Sequence, residues 1–148
     1  MATQALTVRI RIDGARETLA AFRRLPKQAS QDLRTRTLEL SQLLASRVEA
    51  AARADSRQSA LMAPTVKARK DRVPSIVAGG MKRVGSRRVP AYKILFGSEF
   101  GATYLRQYRR HLGRGSYWMF RTVEANQAQI SAAWNRVAAD VLRQFGGR

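Results

Sequence analysis

His111 is the single histidine of the 148-residue chain, and it stands among Arg109, Arg110 and Arg114. Positive neighbours disfavour a protonated imidazole, and no nearby acid is placed to orient the ring as a serine triad requires. The pattern gives His111 a surface or interface role rather than a catalytic one. Cysteine is absent, which removes disulfide frameworks, thiolate zinc sites and cysteine nucleophiles together. The acids Asp13, Glu17, Asp32, Glu39, Glu49, Asp55, Asp71, Glu99, Glu124 and Asp140 are mostly isolated along the sequence. They read as helix-cap and salt-bridge groups, not as metal ligands or the paired carboxylates of a hydrolase. The residues predict no enzyme, no cofactor and no metal.

The glycine motifs of the stretch Lys93–Phe120, "KILFGSEFGATYLRQYRRHLGRGSYWMF", do not cradle phosphate either. "GSEFGA" has no Lys-Ser or Lys-Thr after its second glycine, so it is not a P-loop. "GRGSYW" lacks the third glycine and preceding strand of a dinucleotide fingerprint. Both read as backbone hinges. Around them lie Phe96, Phe100, Tyr104, Tyr108, Tyr117, Trp118 and Phe120. Some belong in a core, but the set exceeds what one small core layer needs. Aromatics and arginine are enriched where proteins meet, so the stretch reads as a contact surface. A single-strand nucleic-acid binder also interleaves aromatics with arginines, but no RNA-recognition signature of the K/R-G-F/Y-G/A-F-V type is present.

The formal net charge is +18, from 28 basic and 10 acidic residues. Residues 1–52 are net +4, residues 53–114 net +12 and residues 115–148 net +2. A basic middle between near-balanced ends is the footprint of a polyanion-facing protein. A merely solvated surface and acidic protein partners are the competing readings. Lys67, Arg69, Lys70, Arg72, Lys82, Arg83, Arg87 and Arg88 are the residues expected to face DNA or an acidic partner, on loops or hairpin tips.

These residues need a scaffold, and the chain is long enough to bury a core without staples. "LTVRIRID" alternates Val8, Ile10 and Ile12 with Arg9 and Arg11, the period of a half-buried strand. Asp13 is placed to cap a short helix over 15–25, which Pro26 interrupts. Leu33, Thr37, Leu40, Leu44 and Val48 mark a long amphipathic helix over 30–54. Residues 55–64 show no period and read as a loop. Gly79-Gly80 predicts a hairpin, and "AYKILFG" a further strand. Val123, Ile130, Trp134, Val137 and Val141 form the stripe of a last helix over 122–145. The expected fold is a single α+β domain over 1–148. Its small antiparallel sheet, the N-terminal strand plus a three-stranded meander, packs on the long helix and the C-terminal helix. A basic loop and hairpin region lies at about 55–90. The start lacks the apolar stretch of a signal peptide and no run approaches ~18 apolar residues, so a soluble, intracellularly made protein is expected.

The order of these parts resembles the small neck or tail-completion proteins of long-tailed double-stranded DNA phages. The resemblance covers nearly the whole chain. It runs through the "DG" turn, the helix "LAAFRRLPKQASQDLRTRTLELSQLLASRVEAAA", "FGSEFGA", "GRGSYWMFRTVEAN" and "AADVLRQF". Many members carry a Thr-Gly-x-Leu-basic segment where this chain reads "APTVKARKDRVPS". The resemblance implies a virion protein of the head–tail junction, in a six-fold ring around the DNA channel, touching neighbouring neck and tail proteins and no membrane. About 40 Å of duplex carries roughly 24 phosphate charges. Six copies of a +12 segment exceed that about threefold, so only a fraction of the arginines can face DNA, through sequence-neutral phosphate contacts. The stretch from "FGSEFG" to "SYWMF" is then expected to be an intersubunit joint of Phe96, Gly97, Glu99, Phe100, Gly101, Tyr104 and Trp118. Gly97 and Gly101 would take conformations denied to other residues, and Glu99 would pair with an arginine of the adjacent subunit. The alternative is a free-standing, sequence-nonspecific nucleic-acid-binding protein; a metal-independent nuclease is the enzymatic one.

Overall fold

The computed structural model describes residues 5–103, 105–110 and 115–146. In chain order the elements are β1 (Ala5–Arg9), α1 (Ala15–Phe22), α2 (Lys27–Asp55) and α3 (Arg57–Met62). A 3-10 turn (Ala63–Thr65) leads to β2 (Lys67–Arg69), β3 (Ser75–Gly79), β4 (Arg83–Val84), β5 (Val89–Pro90), α4 (Ala91–Phe100) and α5 (Met119–Gly146). The fold is α+β: a three-stranded antiparallel sheet, ordered β1-β3-β2, with α2 and α5 packed together.

The α2–α5 pair is the frame. On α2 the buried side chains are Ala29, Leu33, Thr37, Ser41, Leu44, Ala45, Val48 and Ala52, at the three- and four-residue spacing of one helix face. On α5 they are Met119, Val123, Ile130, Trp134, Ala138 and Val141. The helices run antiparallel. Arg36 donates to Gln144 at one end (3.2 Å), and Arg47 donates to Gln129 (2.8 Å) and to Asn126 at the other. Polar groups in the seam grip the sheet. The Ser75 N–H donates to Ser41 Oγ (2.9 Å), and the Trp134 indole donates to the Arg72 carbonyl (2.7 Å). The β2–β3 turn is therefore tied to both long helices. Val8, Ile10 and Ile12 enter the same apolar cluster, as their alternation predicts.

Several local expectations are corrected. "AYKILFG" is not a strand but the start of α4. Ala91, Ile94, Leu95 and Ser98 are buried at helical spacing, and Pro90, whose fixed φ suits a helix start, precedes them. Gly79 and Gly80 do take positive φ (82° and 90°). They turn the chain out of the sheet rather than back along it, so no meander forms. The hairpin partner of β3 is β2, with Lys67 opposite Val77 and Arg69 opposite Ser75. β4 and β5 make a separate two-stranded ribbon. Residues 55–64 are not a loop. Ser56 caps α3 in a reciprocal box with Ser59, and Met62 is fully buried beneath it. Asp13 does not cap α1: Gly14 occupies that position at φ 82°, and no side-chain cap bond forms. Both long helices begin three residues earlier than their stripes suggest, α2 directly after Pro26.

Candidate nucleic-acid and subunit interface

Two features organise the site: exposed cations around the sheet, and a clamp between α4 and α5. Lys67 and Arg69 project from β2, an edge strand, on either side of half-buried Ala68. Lys70 and Arg72 follow in the turn. Lys82 precedes β4, Arg83 begins it, and Arg87 and Arg88 occupy the turn of the ribbon. All are exposed except Arg72, which is half-buried. They form two groups at opposite ends of β3, whose four residue steps span about 13 Å. None of the eight makes an ion pair among the described residues. Their internal bonds go to neutral groups: Arg69 to the Thr7 hydroxyl (3.3 Å) and Arg83 to the Arg88 carbonyl (2.8 Å). Asp71 stands between Lys70 and Arg72, accepting from the Arg72 N–H (2.7 Å) and pairing with Arg9, and both groups keep a net positive charge among the described residues.

The clamp was not legible in the sequence. α4 ends at Phe100, and Gly101 follows at φ 78°. There a Cβ would lie 2.6 Å from the Arg109 carbonyl oxygen. The chain leaves at this point and returns at Tyr117, whose N–H donates to the Glu99 carbonyl (2.7 Å). The Glu99 side chain closes the base of the excursion. Its Oε1 accepts from the Trp118 and Met119 N–H groups (3.0 and 3.1 Å), and its Oε2 accepts from Phe120 N–H (2.9 Å). These are donors at the first turn of α5 that no carbonyl of the helix can satisfy, and the carboxylate faces the positive end of the helix dipole. Glu99 is fully buried. Burial pushes its carboxyl above the usual range, while the N–H groups of Trp118, Phe120 and Met119 pull it down; burial prevails.

The expected pairing of Glu99 with an arginine of another subunit is therefore corrected, because its oxygens are already occupied within its own chain. Trp118 is likewise internal: it is 1% exposed, and its indole donates to Ser98 Oγ (3.3 Å). Gly97 lies inside α4 with ordinary helical backbone. Its need is space, since a Cβ would meet the Tyr108 ring at 2.6 Å. Gly101 does take the expected left-handed φ. Tyr104 and His111 lie outside the described residues. Arg109 stacks on the Tyr117 ring at 3.7 Å and pairs with Asp55, the last residue of α2. Of the expected contact set, Phe96 and Phe100 remain at the surface. Phe96 is 52% exposed, and a ladder of stacked rings runs from it through Phe100 to Phe120, with centroids 6.3 and 5.8 Å apart.

Among the described residues no cluster of three or more His, Asp or Glu side chains could hold a metal. No described helix is long and apolar enough to cross a membrane. Comparison of the chain with known protein families, with curated proteins and with solved structures finds no match.

Proposed function

We propose that this protein is a structural subunit of the head–tail junction of a long-tailed phage, a neck or tail-completion component that joins a ring around the DNA channel. It acts by binding rather than by catalysis. The observation that carries the reading is the separation of two surfaces on one braced body. Eight cations without ion partners among the described residues flank β3, and an aromatic ladder lies on α4 and α5. Exposed cations on an edge strand, a short ribbon and their turns suit phosphate contacts that hold a duplex without reading its sequence. A partly exposed aromatic ladder suits a contact with a neighbouring subunit. The overall order of sequence parts, which resembles that of the neck proteins, supports the same role.

The test is electron microscopy of particles made when the gene is interrupted. Filled heads and finished tails should accumulate apart, and wild-type protein supplied in trans should restore joined particles. Normal joined particles in its absence would exclude the role.

A further inference from the structure

A second surface lies beside the ribbon. α3, the β4–β5 turn, the first turns of α4 and residues 105–108 enclose a groove of about 860 Å³. Its floor is apolar: Leu61, Val84, Val89 and Ile94 line it, with Val84 and Ile94 buried. Leu105, 54% exposed, stands at its edge. Arg57, Arg87 and Lys93 stand around that floor, and among the described residues no acidic side chain lines it. None of the three cations has an ion pair among the described residues.

The chemistry of the groove selects its occupant. A duplex presents phosphates on a convex hydrophilic surface, which would leave the apolar floor uncovered. Single strands bind through stacked bases. Among the described residues the one aromatic ring lining the groove, Tyr108, lies against Gly97 and is half-buried. A second copy of this chain is also unsuited. Every acid in the sequence except buried Glu99 lies within three residues of a lysine or arginine, so no segment can offer negative charge alone. We propose that the groove docks a segment of a different protein that carries acidic side chains interleaved with apolar ones. The apolar residues cover Leu61, Val89 and Leu105, and the carboxylates meet Arg57, Arg87 and Lys93. Anchoring in an apolar pocket with a charged rim is how short segments reach useful affinity. The inference goes beyond the phage reading and does not depend on it: a docking groove of this chemistry stands or falls on peptide binding alone.

The experiment selects a displayed library of random dodecapeptides on the purified full chain, with synthetic copies of the recovered peptides measured by fluorescence anisotropy. Recovered sequences should combine acidic with large apolar residues. The double variant Arg57→Glu/Lys93→Glu should weaken their binding at least about tenfold, and Leu105→Asp should weaken it comparably. All three positions are exposed, so a melting curve unchanged from wild type separates loss of binding from loss of fold. The proposal is overturned if no peptide is enriched, or if recovered peptides are acidic without apolar residues. It is equally overturned if the variants bind as wild type does.

Discussion

Glu99 carries the sharpest consequence at the scale of single residues. Replacing it with alanine leaves three N–H donors at the start of α5 buried without an acceptor, at a cost of about 2–4 kcal/mol. Urea denaturation of Glu99→Ala measures this directly, and a loss below about 1 kcal/mol would show that water replaces the carboxylate. The pH dependence has a defined sign. The folded carboxyl titrates above its unfolded value because burial raises it. The folded state therefore binds the proton more readily, and this contribution is fully present below the unfolded pKa. It is lost as pH rises from the ordinary glutamate range through the raised folded value. Stability measured across that window should fall with pH in the wild type, and Glu99→Gln should remove that part of the slope. Gly97 supplies a companion test. Gly97→Ala drives a methyl into the Tyr108 ring and should destabilise by about 1–3 kcal/mol, whereas Gly146→Ala, with open space around it, should not.

At the scale of elements, the α2–α5 seam joins the buried faces of the two longest helices. Trp134→Ala empties a fully buried site and removes the indole bond that holds the Arg72 carbonyl. A loss of about 3–5 kcal/mol in a urea titration is expected; a loss under about 1 kcal/mol would place the seam outside the cooperative core. These two helices were readable from sequence because their stripes, Leu33 to Val48 and Val123 to Val141, run for about four turns or more, too long for chance. α4 was not. "AYKILF" is apolar on nearly every side, since Ile94 and Leu95 face inward while Phe96 faces solvent, and a short apolar run fits strand and helix alike. α3 is only six residues long, and its signal was the Ser56–Ser59 pair rather than a period. The clamp could not be read because it joins residues about twenty apart that share no pattern. The faint trace was Glu99 itself, the one acid with no cation close by in sequence. The eight cations were legible as surface groups, since charge of one sign has few other places to go. Their division into two groups came only with the pairing of β2 to β3.

For the whole molecule the governing quantity is charge. Against 28 lysines and arginines, the ion pairs among the described residues are those of Arg9, Arg11, Arg36, Arg53, Arg109 and Arg143. The free subunit should repel itself, so added sodium chloride should raise its thermal midpoint through screening. A midpoint that falls with salt would mean that attractive pairs outweigh repulsion. Duplex binding should show the opposite response, weakening linearly in log–log form as salt releases counterions. Changing Lys67, Arg69, Lys70 and Arg72 together to alanine should weaken binding equally for unrelated sequences and flatten that slope. An unchanged slope would remove this group from the DNA-facing surface. The most direct test of the proposed role in a virion is position. Purified particles carrying a short epitope tag on this chain, labelled with gold-conjugated antibody and imaged by electron microscopy, should show gold confined to the junction between head and tail. Particles without label, or with label spread over the capsid or along the tail, would contradict the account.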